Sequence, residues 1–419
     1  MKILIISTKD LGGGAYRAAH RLHHALMKQG SGSQMRVYMK IGDENRVVGQ
    51  PRSLARIFLP LKSKLAYRMT RLATRGLADP FSIGLFGTRG IVDEINSSDA
   101  DVVNIHFVGG EFMSIPQIGR IRKPIVWTFH DMWAFAGVEH YSSVDENADW
   151  RTGYNSSRNR SRLPLIDLDY WVWKRKKKHW KQPFHIITPS KWLEYCVRES
   201  ALMEDFPVRT IPNCLNLDIY RPWPVEAARK AFNLPLDRKL ILFGAIGRDV
   251  SGRKGFDLLA GAVGKLQEKN GEFDLVVFGQ SRPANAPDWG FPVHYAGRLT
   301  DDLALAQLYS AVDVMVVPSR MDNLPQTGTE AQACGCPVVA FDVGGLGSVL
   351  EDQVTGFLVP PFDTSALAAR ISEIASSPDL RREMGLAARE RALRLWEPRI
   401  VVQKYLETFR EAVNLNDSC

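Results

Sequence analysis

Residues Met1–Lys28 read MKILIISTKDLGGGAYRAAHRLHHALMK, and their three parts set the fold class. Ile3–Ser7 is a near-continuous apolar run, as a strand buried on both faces requires. Gly12, Gly13 and Gly14 follow. Ala15 to Lys28 then places Ala15, Ala18, Ala19, Leu22 and Leu26 at helical spacing. A strand, a glycine loop and a helix in that order open a doubly wound α/β sheet.

Working outward, the same alternation continues. Strands are predicted at Met35–Met39, Val102–Ile105, Ile125–Thr128 and His185–Thr188, with helical or turn-rich segments between them. The second half restarts the pattern. Leu240–Gly244 reads as a strand and Phe256–Leu266 as a helix, followed by strands at Leu275–Phe278, Val293–Tyr295, Val312–Val317 and Val338–Phe341. Helices are predicted at Leu303–Ser310 and Thr329–Cys334. Alternating strands and helices imply parallel sheets covered on both faces. A seam falls at Ile211–Pro224, IPNCLNLDIYRPWP, rich in proline and asparagine. The expected architecture is two doubly wound domains, residues 1–210 and 211–396, with ligand space between them. Leu393–Val413 reads as helical but broken at Trp396–Glu397–Pro398, because proline cannot continue a helix. Residues 397–415 are expected to cross back and complete the first domain.

Composition bounds the class. The chain has 419 residues, 45% hydrophobic and 24% charged, which excludes a disordered chain, a collagen-like repeat and a coiled coil. Its five cysteines are scattered, and the lone pair Cys334 and Cys336 fits neither a disulfide framework nor a zinc site. The apolar run at the N-terminus meets Lys9 and Asp10 too soon for a signal peptide. No window approaches the roughly 18 apolar residues of a membrane span. These features point to a cytoplasmic protein. Net charge is +8 but unevenly spread: residues 1–210 carry 32 Lys+Arg against 20 Asp+Glu, leaving 22 against 26 for the rest. A basic half of this kind faces an anionic partner.

Four stretches could carry chemistry. Gly12–Gly14 would let backbone N–H groups approach an anion at a helix start, or form a plain tight turn; the G-x-G-x-x-G spacing is absent. His130, in WTFHDMW, follows a strand end, where an imidazole could donate to a hydroxyl or take a proton; a hydrogen-bonded core histidine is the other reading. His106, ending the preceding strand, is a second candidate. Arg248–Gly255, RDVSGRKG, gathers Arg248, Arg253 and Lys254 after the first strand of the second half. They suit a departing phosphate or diphosphate, or a solvated turn. In Pro318–Gly345, PSRMDNLPQTGTEAQACGCPVVAFDVGG, a strand end and an irregular loop precede a helix opening near Thr327 to Glu330. Glu330 could grip vicinal ribose hydroxyls or cap that helix.

This last stretch resembles the signature of the retaining, nucleotide-sugar-dependent glycosyltransferases of family four, which have the GT-B fold of two facing Rossmann-like domains. The family pattern is Glu, seven residues, Glu, then A-x-A-C-G-x-P-V-V-A; here Asp322 takes the first position and Glu330 the second. GGGAYRAAHRL, WTFHDMWAFAG, ITPSKWLEYCVRES, VRTIPNCLNLDIYRP and RKGFDLL resemble the family's other segments in the right order. WTFHDMWAFAG-x-x-HY is most similar to enzymes of capsule, exopolysaccharide or lipopolysaccharide synthesis, although Asp145–Arg162 lacks the cysteine cluster common there.

The resemblance implies roles for particular residues. His130 would contact the donor sugar near the reacting carbon, and Lys254 with Arg248 or Arg253 would hold the diphosphate. Glu330 would bind the ribose, Asp322 would lie near the sugar hydroxyls, and backbone at Asn323 and Leu324 would contact sugar and phosphate. Arg298 would lie near the base. Gly13 and Gly14 belong to the same donor- and phosphate-binding set. The implied activity is retaining transfer from a nucleotide-diphosphate sugar to a glycan or lipid-linked acceptor in bacterial surface polysaccharide synthesis. No metal or other cofactor is implied, because cations and a helix N-terminus can serve the leaving group. A nucleotide-sugar epimerase of the same fold is disfavoured by the Asp322–Glu330 pattern, and a non-catalytic binding protein by His130, Lys254 and Glu330.

Two segments account for the basic half. Lys174–Lys178 runs unbroken between Trp173 and Trp180. Ala55–Pro80 sets Arg56, Lys62, Lys64, Arg68, Arg71 and Arg75 among Ile57, Phe58, Leu59, Leu65 and Leu72. Tryptophan beside lysine suits peripheral contact with an anionic membrane; a nucleic-acid patch and a solvated helix face are the competing readings. A nucleic-acid partner is not expected.

Overall fold

The central strands are apolar on both faces, and the sheets they build show why. The computed structural model describes residues 1–50, 52–73, 81–154, 167–244, 252–267, 273–284, 286 and 288–417, without the side chains of 52–59, 71–73, 267 and 416–417. These residues form two units, Met1–Cys214 with Arg399–Cys419, and Leu215–Pro398.

The first unit holds strands β1 (Lys2–Lys9), β2 (Gly32–Met39), β3 (Val47–Val48), β4 (Val102–Ile105), β5 (Ile125–Thr128), β6 (His185–Thr188) and β7 (Val208–Thr210). They lie in the order β3-β2-β1-β4-β5-β6-β7, all parallel. The second holds β8 (Lys239–Gly244), β9 (Phe273–Phe278), β10 (Val293–Gly297), β11 (Val314–Val317), β12 (Val338–Phe341) and β13 (Gly356–Val359). Their order is β10-β9-β8-β11-β12-β13, again all parallel. Each sheet is therefore a Rossmann-like doubly wound sheet. Strand order reverses between β1 and β4 in one and between β8 and β11 in the other, where such folds bind ligands.

The two faces of the second sheet show the strand period directly. Leu240, Leu242, Met315, Val317, Val338 and Ala340 pack with Leu305, Leu308 and Tyr309 of the helix Asp302–Ala311. The alternate residues Ile241, Phe243, Val314, Val316, Val339 and Phe341 pack with Leu259 and Val263 of Phe256–Gln267 and with Leu367 and Ile371 of Thr364–Ser376. In the first unit, Ile3, Ile5, Met35 and Val102 meet Ala19, Leu22 and Leu26 of the helix Gly14–Lys28. Val401, Val402, Tyr405, Phe409 and Ala412 of the C-terminal helix Pro398–Asp417 join that same core. The preceding helix stops at Leu395, so the chain breaks at Pro398.

Several boundaries differ from the sequence reading for identifiable reasons. Strand β11 begins at Val314, because Asp313 turns to accept from Arg229 at 3.0 Å and from the Leu240 N–H at 2.7 Å. Strand β9 extends back to Phe273 through buried Asp274, which pairs with Arg238 and His294 at 2.8 Å each. A carboxylate inside a strand masks its apolar signal. The strands β3, β7 and β13, of four residues or fewer, were not read from sequence.

The basic run Lys174–Lys178 also needs correction. It lies in the helix Leu168–His179, but Lys176 is fully buried. Its Nζ donates to the carbonyls of Trp133, Ala136 and Gly137, the last two at 2.9 and 2.8 Å, and sits 4.2 Å from the Trp133 ring centroid. Trp173 and Trp180 are buried too. The central cation and both flanking tryptophans are thus core, leaving Lys174, Lys177 and Lys178 exposed. Among the described residues, no helix is long and apolar enough to cross a membrane.

Candidate functional site

In the second unit, the loops after β8 and β11 meet at the reversal of strand order. Gly255 has φ of +66°, and a Cβ there would fall 1.8 Å from the Pro318 carbonyl oxygen. Glycine at this position therefore lets the turn carrying Arg253 and Lys254 lie against the end of β11. The Arg320 N–H donates to the Arg253 carbonyl at 2.7 Å, fastening the two loops. Arg320 also forks onto Asp257 at 2.6 and 2.5 Å, a pair the sequence did not single out.

Lys254 Nζ donates to Asp322 Oδ2, and Arg253 Nη1 lies 3.8 Å from that same oxygen while donating to the Met321 carbonyl at 3.0 Å. The Asn323 N–H donates to Asp322 Oδ1 at 3.0 Å. Burial acts to raise the Asp322 pKa, but Lys254, Arg253 and these hydrogen bonds outweigh it and hold the carboxyl below its ordinary value. Two cations around one carboxylate leave a net positive charge. The Lys254 side chain remains 47% exposed, so its ammonium can also face a ligand. Asn323 and Leu324 are buried in the same loop.

Glu330 does not cap its helix. The helix Gln326–Ala333 has Pro325 at its N-cap, which puts Glu330 in the fifth helical position, beyond a capping box. It is 1% exposed, and Tyr309 donates its hydroxyl to Oε2 at 2.9 Å. Tyr309 was missed by the sequence reading, and no local spacing links it to Glu330. Burial, with Glu330 beside it, pushes the Tyr309 phenol well above its usual range.

Arg248 lies outside the described residues. Arg298 is exposed just beyond edge strand β10, two strands from β8. At about 4.8 Å per strand, that is about 10 Å from the strand that leads into Lys254. The structure therefore groups Arg253, Lys254, Asp322 and Asn323, with Arg298 to one side.

In the first unit, the glycine loop, His106 and His130 follow the adjacent strands β1, β4 and β5. Gly12 has φ of +103°, whereas a Cβ on Gly14 would meet nothing within 4 Å. Gly12 thus shapes the turn, and Gly14 leaves open space at the helix start.

A hydrogen-bonded chain fixes both imidazoles. Asn104 Nδ2 donates to the Val126 carbonyl at 2.9 Å, so its Oδ1 accepts from His106 Nε2 at 2.8 Å. His106 Nδ1 is then an acceptor for His130 Nε2 at 2.9 Å, and the lone pair of neutral His130 is on Nδ1. Burial lowers His106 well below its ordinary pKa and lowers His130 to about 4, with Asp131 opposing at His130. Asn104 stands two residues before His106 on one strand face, a period-2 signal that could have flagged it.

Beside this chain, Asp131 Oδ2 accepts from His140 Nδ1 at 2.7 Å, and His140 Nε2 lies 3.0 Å from Ser82 Oγ. The order resembles a hydrolytic triad, but Ser82 is 3% exposed and its Oγ also accepts from the Gly110 N–H at 3.3 Å. A buried hydroxyl so engaged is a structural link and not a nucleophile. The cavity beside His106, His130 and His140 is about 20 Å³, room for roughly one water.

Comparison with known proteins agrees with this architecture. The profile of the family described as "Glycosyl transferases group 1" matches residues 239–377. D-inositol 3-phosphate glycosyltransferase of Saccharomonospora viridis is 32% identical over 49% of the chain and 50% of its own length. The same-named protein of Mycobacteroides abscessus is 36% identical over 38% of the chain and 37% of its own length. The chain thus spans about half the length, or less, of the curated relatives it matches. Solved structures match nearly end to end at low identity. Sucrose-phosphate synthase from Thermosynechococcus elongatus gives a TM-score of 0.66 at 20% identity, covering 98% of both chains. Anabaena HepE with UDP and glucose gives 0.65 at 17%, covering 98% of this chain and 99% of that one. The second unit thus matches the model of the glycosyl transferases group 1 over residues 239–377, and the two Rossmann-like units have the GT-B fold of these solved structures.

Proposed function

We propose that this protein is a retaining glycosyltransferase that moves a sugar from a nucleoside-diphosphate sugar to a glycan or lipid-linked acceptor of a bacterial surface polysaccharide. The observation that carries the reading is the pairing of Lys254 and Arg253 around Asp322 where the second sheet reverses its strand order. In the transfer, the bond from the anomeric carbon to the diphosphate breaks, and the acceptor hydroxyl bonds to the same face of that carbon. Its proton passes to the departing diphosphate. The protein's part is to position both partners and to meet the negative charge that develops on the leaving group. Lys254 and Arg253 do that as fixed cations, so no metal is required. Asp322 holds them in place and takes sugar hydroxyls, while His130 hydrogen-bonds the transferred sugar through Nδ1. Glu330, oriented by Tyr309, takes the ribose. The UDP, UDP-glucose and ADP complexes among similar structures support a nucleotide donor.

The basic half suits an acceptor at an anionic membrane surface. With Lys176, Trp173 and Trp180 in the core, the surface for that contact moves to the helix Arg52–Ala73. There Leu61, Leu65, Tyr67 and Met69 are exposed alongside Lys64 and Arg68. Sedimentation with phosphatidylglycerol vesicles, but not with phosphatidylcholine vesicles, is the expected result. Equal recovery with both would remove this part of the reading.

The donor is tested by thermal shift with UDP, GDP, ADP and their sugar conjugates. One nucleotide series should raise the melting temperature of the wild type by mass action and fail to do so in Lys254→Ala. Proton NMR of the product should then show the donor's anomeric configuration. No stabilisation by any nucleotide would overturn the proposal.

A further inference from the structure

The helix Gly14–Lys28 carries His20, His23 and His24, which the donor and sugar roles above do not use. All three face Glu44, in the segment between β2 and β3. His20 Nε2 and His24 Nε2 each lie 3.0 Å from Glu44 Oε2. The two rings, one helical turn apart, stand 4.5 Å apart at 75°. At such distances an ordinary imidazole–carboxylate pair would be hydrogen-bonded. Glu44 Oε2 is nevertheless buried with no hydrogen bond of acceptable geometry. The donor atoms of His20, His24 and Glu44 converge within 4.8 Å of one another. A tetrahedral zinc site with bonds near 2.0–2.1 Å spaces its ligand atoms about 3.3 Å apart.

A second observation points to the same place. His23 is fully buried, with Nδ1 2.8 Å from Ser33 Oγ. Its Nε2 is buried without a hydrogen bond and faces Glu44 Oε1 across 3.6 Å. A buried imidazole nitrogen left in that state is rare unless the carboxylate in front of it is committed elsewhere.

We propose that His20, His24 and Glu44 bind a Zn²⁺ ion, with solvent in the fourth position and His23 orienting Glu44 from behind. Two imidazoles and one carboxylate favour zinc over magnesium or calcium. The ion would clamp the 40–46 segment to the helix that begins at the glycine loop. That segment already donates the Ile41 and Gly42 N–H groups to Asp10, at 2.8 and 2.9 Å, just ahead of the same loop.

The test uses the untagged full chain, stripped with chelator and titrated with Zn²⁺ against a chromophoric chelator. One ion per chain and a raised melting temperature are expected. His24→Ala, whose side chain is 54% exposed in the wild type and should fold normally, and Glu44→Gln should each weaken binding by more than the ~10–100-fold of a lost outer partner. Co²⁺ should give visible tetrahedral bands in the wild type and none in His24→Ala. Absence of stoichiometric Zn²⁺ binding by the wild type, or stoichiometric binding that survives both substitutions, would overturn the site.

Discussion

Lys254 and Lys176 show how one residue type serves opposite ends. Lys254 keeps half its side chain in solvent and pairs with a buried carboxylate. Lys254→Ala should lower kcat about 10²–10³-fold, the usual loss when one group stabilising developing charge is removed. It should also lower the melting temperature, since buried Asp322 loses the nearer of the two cations beside it. Adding Asp322→Asn should restore the melting temperature but not turnover, and measuring both separates the two roles. Lys176 does no chemistry. Its ammonium fills the space between three carbonyls, and Lys176→Met would leave them buried and unpaired. A loss of about 3–5 kcal/mol is expected by urea denaturation, against well under 1 kcal/mol for exposed Lys177→Met.

Elements position these residues, and two are open to direct trial. The turn after β8 depends on Gly255, where a Cβ would meet the Pro318 carbonyl. Gly252 has a similar φ of +68° but open space around its Cβ position. Gly255→Ala is therefore expected to push the Lys254 turn off β11 and abolish the nucleotide-induced thermal shift. Gly252→Ala should cost about 1–2 kcal/mol of backbone strain and keep that shift. The C-terminal helix is the other case. Phe409 is fully buried in the first unit's core, so Phe409→Ala should cost about 3–5 kcal/mol in chemical denaturation. Deleting residues 399–419 should unfold the first unit outright, as near-ultraviolet circular dichroism would report.

At the scale of the whole molecule, buried neutral histidines govern the response to acid. Burial holds His106 well below its ordinary value of 6.5, His130 at about 4 and His23 at about 3. The unfolded chain therefore binds more protons than the folded one once pH drops below about 6.5. Stability is full above that pH and is lost progressively as pH falls towards 4. Asp322 and Asp131 are held below 3.8, so their contribution goes only at still lower pH. The urea midpoint should begin to fall near pH 6.5, and His130→Asn should make the fall shallower between pH 6 and 4.5. An onset only below pH 4 would mean that carboxylates alone set the acid limit.

What the sequence determined by itself is what short-range physics decides. Apolar runs bounded by glycine, and helical spacing between them, located the central strands of both sheets and the break at Pro398. The motifs placed Lys254 and Asp322, and His106 and His130, at strand ends before any contact was known. Tertiary structure alone decided which of those residues touch. Lys176 reads as one of five equal cations until Trp133, 43 residues away, offers its carbonyl. Glu330 reads as either a ribose ligand or a cap until Tyr309, 21 residues back, donates to it. Thr128 meets Tyr405 across 277 residues. Burial and hydrogen bonding of this kind depend on which distant segments the packed sheets bring together, and no local periodicity encodes that.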